Sequence, residues 1–500
     1  MPIPIIDLFA GPGGLNEGFS RVEDARGDAV FETVLSVEKD EVAHQTLELR
    51  ALYRRLRQRS DLKKYWEYVQ GGITREELFT SAGDLADAAR AEALNATLGV
   101  SDAANLEIEA KIARQLQNAG SADCILIGGP PCQAYSLVGR ARRRHEDKEE
   151  FESDQLHVLY REYLRIVARF RPMVFVMENV PGLLSAKLKG TRVFQMICDD
   201  LHAVGYDLYP LNEAKPGAAT DDPKNFVVEA ERHGVPQARS RVFILGLRSD
   251  LHLKRRAIAK SSSEQVTIAD AIADLPRIRS RLSKEPDSAD RWLSAITEPF
   301  LGYSFAGLEP AFRSALYNRI GTMHANYPLG ARSMERVKSG PDRLSDWFGA
   351  ATCDLVLNHN SRGHMRRDLL RYFFWAEYAS HFGRSPTLAD VPHFLRPNHL
   401  NVTGDATDLP FADRFRVQIR SRPSTTVVSH IAKDGHYYIH YEPKQCRSLS
   451  VREAARLQTF PDDYFFEGPV TEQYFQVGNA VPPYLAKQIG TVVHAILRGQ

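Results

Sequence analysis

The feature that most narrows the fold stands at the start of the chain. IPIIDLFA (3–10), an apolar run of strand character, passes without a linker into GPGG (11–14). A buried strand followed at once by a glycine-rich turn opens a βα unit, because glycine lets the backbone turn sharply and approach a ligand closely. The pattern then recurs. ETVLSVE (32–38), CILIGG (124–129), MVFVMENV (173–180) and RVFILGL (241–247) are further strand candidates. Between two of them, DQLHVLYREYLRIVARF (154–170) puts Leu156, Leu159, Tyr160, Tyr163, Ile166 and Val167 on one helical face. Strands alternating with helices predict an α/β, Rossmann-like fold with a mostly parallel sheet.

Five hundred residues exceed what one core usually supports, so a second, smaller domain is expected. The alternation holds over 1–250, apart from a charged, alanine-rich helical stretch at about 50–118 that reads as an insertion packed on the outside. From 251 to 420 the alternation fades, Arg becomes frequent, and Gly, Pro and Ser interrupt the chain. Residues 421–500 are expected to return to the first domain. They include SLSVREAARLQTF (448–460), with Ser450 as helix cap and Glu453 three residues on.

Lys+Arg 64 against Asp+Glu 63 leaves no net field to attract a polyanion, so any nucleic-acid surface must be a local patch. The five cysteines are scattered without disulfide or metal spacing, which points to a reducing compartment and no metal site. No run approaches the roughly 18 apolar residues of a membrane span. A cytoplasmic protein is expected.

Four short blocks carry chemistry. DLFAGPGGLNEGF (7–19) is suited to a nucleotide-like cofactor, with Glu38 at the end of the second strand placed for ribose hydroxyls; Pro12 removes a donor and the spacing is not G-x-G-x-x-G, which argues against a pyrophosphate ligand. In GGPPCQAYS (128–136), Cys132 follows a strand end at the edge where open α/β sheets bind ligands. Two prolines make its turn rigid, as a nucleophile that must be aimed requires. Cys124 and Cys198, within apolar stretches, read as inert core. VMENVPG (176–182) ends a strand on Glu178, a carboxylate among apolar neighbours and so disposed to hold a proton. GVPQARSRVF (234–243) sets Gln237, Arg239 and Arg241 at alternate positions, on one face of a strand, as an anion clamp.

Taken in this order, and with the terminal QVGNAVPP (476–483), the blocks resemble the motif series of the DNA (cytosine-5) methyltransferases. The resemblance covers nearly all of the chain outside 50–118 and 250–420. It implies an S-adenosylmethionine pocket floored by Phe9, Gly11, Gly13, Gly14 and Leu15, with Pro130 beside it. Glu38 would hold the ribose, Asp84 in SAGDLADA would contact the adenine, and Asn479 and Val481 would close the pocket.

The same resemblance makes Cys132 the nucleophile that adds to C6 of a flipped-out cytosine. Glu178 becomes the group that holds N3 and the exocyclic amine, and Arg239 the partner of the O2 edge, with Gln133 and Arg241 alongside. Ser136, Arg140 and Arg142 in the loop after the cysteine, and Gln237, would contact DNA. The 251–420 segment would read sequence in the major groove. The implied products are 5-methylcytosine and S-adenosylhomocysteine. The implied setting is a bacterial restriction-modification pair acting as a monomer on duplex DNA, with a cognate endonuclease as partner. Three readings compete: a tRNA-acting relative, which has little recognition domain; a catalytically inactive DNA-binding relative, against which the intact Cys132, Glu178 and Arg239 speak; and an NAD-dependent dehydrogenase, which would leave the cysteine and the QxRxR strand unexplained.

Overall fold

The computed structural model describes residues 1–130, 149–188, 190–212, 222–259, 264–303, 305–337, 343–349, 353–397 and 415–499. The chain divides into two compact units, one of Met1–Tyr65, Ile73–Ser263 and Ala480–Gln500, the other of Trp66–Gly72 and Glu264–Asn479.

The first unit is built on one eight-stranded sheet. Its elements in chain order are β1 (Ile3–Leu8), α1 (Gly14–Phe19), β2 (Phe31–Glu38), α2 (Glu41–Gln58), the first residues of α3 (Lys63–Val69), α4 (Arg75–Ala82), α5 (Asp84–Glu92), β3 (Ala93–Asn95) and α6 (Asp102–Asn118). There follow β4 (Ile125–Gly128), α7 (Glu149–Phe170), β5 (Val174–Asn179), α8 (Val193–Ala203), β6 (Tyr206–Pro210), β7 (Val227–Glu229) and β8 (Ser240–Arg248). The strand order is β3-β2-β1-β4-β5-β8-β6, with β7 also paired to β8. The five strands from β3 to β5 run parallel, and β8 is antiparallel to β5, β6 and β7.

The central strands are nearly continuous Val, Ile, Leu and Phe because both faces are covered. One face carries Leu8, Leu35, Leu126, Phe175 and Ile244 against Tyr163, Ile166 and Val167 of α7. The other carries Ile5, Ile127, Val176 and Phe243 against α1 and the C-terminal helix Pro483–Leu497. That helix approaches α1 so closely that a Cβ on Gly18 would lie 2.4 Å from the Pro483 carbonyl oxygen.

Two expectations from sequence need correction. The 50–118 stretch is not an external insertion: it contributes β3, which pairs in parallel with β2 through Ser36–Ala93, Val37–Leu94 and Glu38–Asn95. Three strand residues after 54 residues of helix and turn are too short to read against that background. In addition, Trp66–Gly72 belongs to the second unit, where the Tyr68 hydroxyl donates to both carboxylate oxygens of Glu467 at 2.7 and 2.8 Å.

The second unit has its own core of Trp292, Phe300, Phe312, Leu369, Phe373 and Trp375. Its main helices are α9 (Ala289–Gly302), α10 (Pro310–Gly321), α11 (Arg366–Phe382) and α12 (Val451–Leu457). α12 opens on the expected capping box of Ser450 and Glu453. Here the expected boundary moves. Residues 421–479 stay with this unit, and the return to the first begins only at Ala480. Buried charge explains it: Arg456 pairs with Asp274 and Asp462, and Arg336 with the same two carboxylates, all at 7% side-chain exposure or less. Arg447 grips Glu453 through two bonds of 2.6 and 2.7 Å. Breaking such a pair leaves an uncompensated charge, so 447–462 is held with 274–336.

Candidate active site

At the carboxyl edge of the parallel strands the chain leaves β1 through a strained turn. Phe9 has φ 56°, unusual for a residue with a side chain, and Gly11 and Gly13 follow at 56° and 87°. Such a turn persists only when its surroundings hold it. The Ala10 N–H donates to the Val37 carbonyl at 3.1 Å, and the Gly13 N–H to Ala10 at 2.9 Å. The Gly11 N–H donates to one carboxylate oxygen of Glu38 at 2.8 Å, and the Asp40 N–H to the other at 2.8 Å. Glu38 is thus bound to the glycine turn, half-buried at the edge of the sheet. A Cβ on Gly14 would lie 2.2 Å from the Val481 carbonyl oxygen, so only glycine permits this approach of turn and C-terminal segment. Leu15 is buried behind it. Phe9, Gly11, Gly13, Gly14, Leu15, Glu38 and Val481 therefore meet on one unit, as a cradle with fixed N–H groups and a carboxylate.

Asp84 does not join them. It starts α5, is 76% exposed and pairs with Arg59 at 3.0 Å. The carboxyl end of β3, beside Glu38, is held by Asn95, whose amide donates to the Glu38 and Lys39 carbonyls at 3.3 Å each. Asn479 is exposed at the end of the helix Val470–Asn479, in the second unit.

Two strands away, β5 delivers Glu178 to the same edge. β8 runs antiparallel beside it, with Val242 opposite Asn179 and Phe243 opposite Glu178. That register brings the Arg241 guanidinium to Glu178, Nε to Oε1 at 3.0 Å, with side chains 13% and 17% exposed. Burial lowers the Arg241 pKa from its usual value, and the neighbouring Glu178 opposes this. A Cβ on Gly129 would fall 2.8 Å from both the carbonyl and the Oε2 of Glu178, so the second glycine of GGPP makes room for the carboxylate.

Arg239 is 2% exposed, and its Nη2 donates to the Ala480 carbonyl at 2.8 Å; the guanidinium at the glutamate is that of Arg241. Gln237 is fully buried, so it offers no surface to a DNA phosphate as the chain stands.

Pro130 is buried, and its carbonyl accepts from the Asn179 amide at 3.1 Å, while the Asn179 Oδ1 accepts from the Val180 N–H at 2.8 Å. Asn179, which motif reading passed over, ties Pro130 to the strand carrying Glu178. Cys132, Gln133, Ser136, Arg140 and Arg142 lie outside the described residues. Burial pushes the Cys124 and Cys198 thiols up to about 12, as expected of inert core cysteines.

An open α/β sheet with a glycine turn, a carboxylate beside it and an acid–arginine pair along the same edge defines an enzyme that brings a nucleotide-like cofactor to a substrate. The comparisons make this specific. The model of the C-5 cytosine-specific DNA methylase family matches residues 100–297 and 378–495. The Type II methyltransferase M.Bpa9945I of Bacillus paralicheniformis is 34% identical over 99% of each chain. M.DdeI of Desulfomicrobium norvegicum is 27% identical over 97% of this chain and 87% of its own. The DNA (cytosine-5-)-methyltransferase M.ApeKI of Aeropyrum pernix is 25% identical over 75% of this chain and 81% of its own. A solved E. coli structure described as a prophage-encoded DNA modification methyltransferase shares the fold at TM-score 0.54, with 19% identity and 99% of both chains covered. The chain belongs to the C-5 cytosine-specific DNA methylase family and is a DNA (cytosine-5-)-methyltransferase.

Proposed function

We propose that this enzyme methylates C5 of a flipped-out cytosine within a specific duplex sequence, through a covalent Cys132–C6 intermediate, as the modification partner of a restriction endonuclease. The observation that carries the chemistry is the Glu178–Arg241 pair at 3.0 Å, on the strand whose Asn179 holds Pro130, two positions before Cys132 in the sequence.

C5 of cytosine is a weak nucleophile. Addition of the Cys132 thiolate to C6 turns C5 into an enamine carbon, and the electron density pushed toward N3 is met by a proton held at Glu178. Arg241 fixes that carboxyl and puts a positive charge where the ring becomes negative. Loss of the C5 proton to solvent water, departure of the Cys132 sulfur as thiolate and return of the N3 proton to Glu178 then restore the aromatic ring. S-adenosylmethionine, when bound, supplies the electrophilic methyl group. The glycine turn Phe9–Leu15 with Val481, Glu38 and Asn95 fit it: the turn offers close backbone approach, and Glu38 keeps acceptor capacity for ribose hydroxyls. Pro130 borders the same edge.

Double-stranded DNA is the substrate in this reading, with Ser136, Arg140 and Arg142 at its backbone and the Arg-rich part of the second unit at its bases. No helix among the described residues is long and apolar enough to cross a membrane, which suits a cytoplasmic, nucleoid-associated enzyme.

Tritiated methyl transfer to duplex DNA, with bisulfite mapping, tests the proposal. Label on cytosine C5 at one recurrent sequence is expected; label on adenine, or on tRNA in preference to DNA, overturns it. Cys132→Ala should abolish turnover and leave S-adenosylhomocysteine binding intact. Retention of more than a trace of activity by this variant overturns the covalent route.

A further inference from the structure

One carboxyl at this edge has no role in the reaction above. Asp7 lies one residue before the end of β1, between Ser36 of β2 and Ile127 of β4 in register, and is completely buried. Neither of its oxygens has a hydrogen-bond partner among the described residues. A buried ionised carboxylate without partners is among the costliest arrangements in a protein, whereas a neutral carboxyl is tolerated. Four groups act on it electrostatically: Glu38 of β2, Arg54 of α2, Glu92 of α5 and Tyr163 of α7. Arg54 is ion-paired to Glu92, which Arg55 also holds, and it makes no hydrogen bond to Asp7. Tyr163 is buried and neutral, its hydroxyl also without a partner among the described residues. Glu38 receives only the neutral N–H groups of Gly11 and Asp40 and has no ion pair among the described residues. Among the described residues, the edge that carries the glycine turn thus presents two carboxyls, neither of them in an ion pair.

We propose that Asp7 is a proton-linked counter-charge for the cationic cofactor: its carboxyl is neutral in the free enzyme and passes its proton to solvent when a sulfonium ligand binds beside β1. Burial first, and the Glu38 charge second, raise its pKa well above the usual carboxylate value, which keeps the proton in place until a cation arrives. The sulfonium of S-adenosylmethionine is that cation. After methyl transfer the product is a neutral thioether, so the carboxylate regains its proton from solvent and the site loses its preference for the spent cofactor. Asp7 in this role is a positioning residue that sets the order of affinity between cofactor and product. The inference rests on S-adenosylmethionine being the cofactor.

Calorimetric titration of the full chain with S-adenosylmethionine and with S-adenosylhomocysteine, in buffers of different ionisation enthalpy, tests it. At about pH 6.5 the α-amino group of either ligand is protonated and contributes little. Release of about half a proton or more on binding the sulfonium ligand is expected, with clearly less for the thioether. Asp7→Asn should erase the difference while S-adenosylhomocysteine still binds. Equal release for the two ligands, or release that survives Asp7→Asn, overturns the proposal alone. Should that variant not fold, the wild-type protein suffices: its affinity ratio for sulfonium over thioether should rise with pH and then level off. A ratio flat from about pH 5.5 to 7.5 overturns the proposal. Binding of neither ligand overturns the cofactor reading and the proposal with it.

Discussion

At the scale of single residues, the site turns on which arginine reaches Glu178. Alternation along QARSR puts Gln237, Arg239 and Arg241 on the same face, and nothing in the sequence ranks the two guanidiniums. The antiparallel register of β8 on β5 favours Arg241, which pairs with the glutamate, while Arg239 donates to the Ala480 carbonyl. The two should therefore fail differently. Arg241→Ala should slow single-turnover methylation by roughly 10²-fold or more and leave S-adenosylhomocysteine binding unchanged. Arg239→Ala should chiefly lower the melting temperature, since a buried carbonyl loses its donor at a cost of about 1–3 kcal/mol. Rapid-quench rates and thermal melts on both variants separate the assignments; the reverse pattern would return the role to Arg239. Glu178→Gln keeps the shape but not the proton, and a fall in turnover of about 10²–10⁴-fold is expected, with cofactor affinity unaltered.

At the scale of elements, the cradle depends on how closely α1 can come to the C-terminal segment. Gly14→Ala would put a methyl group 2.2 Å from the Val481 carbonyl oxygen, a backbone atom that cannot swing aside as a side chain can. Overpacking of this kind costs about 1–3 kcal/mol. A lower melting temperature together with weakened S-adenosylhomocysteine binding is expected; unchanged binding would show that the turn does not line the pocket. Glycines after the first strand were readable as a close approach, but not what they approach, since Val481 is more than 450 residues away. β3 was unreadable for another reason. A three-residue strand at the sheet edge carries no periodicity of its own, and its pairing with β2 alone defines it.

At the scale of the whole molecule, acid should act through the second unit. His359 is fully buried there, its Nε2–H donating to the Pro276 carbonyl and its Nδ1 accepting from the Ser450 hydroxyl, both at 2.8 Å. Burial lowers its pKa from 6.5 to about 4. The unfolded chain therefore binds a proton that the folded one refuses as pH drops from 6.5 toward 4. Stability is full above that window and declines through it by about 3 kcal/mol. Glu453 and Asp462, held below the usual carboxylate range by their arginine partners, add a further loss at still lower pH. Urea titrations between about pH 7 and 4 should show the decline, and His359→Gln should flatten its upper part; an unaltered slope would assign it to other groups. The sequence by itself determined the βα alternation, the presence of a second domain and the motif residues, because hydrophobic period and local turn chemistry act between near neighbours. Strand order, the partner of Glu178, the Asn95 position, the burial of Asp7 and the return of the chain at Ala480 were decided only by the tertiary structure. Each depends on contacts between residues tens to hundreds of positions apart, and no local pattern encodes such a pairing.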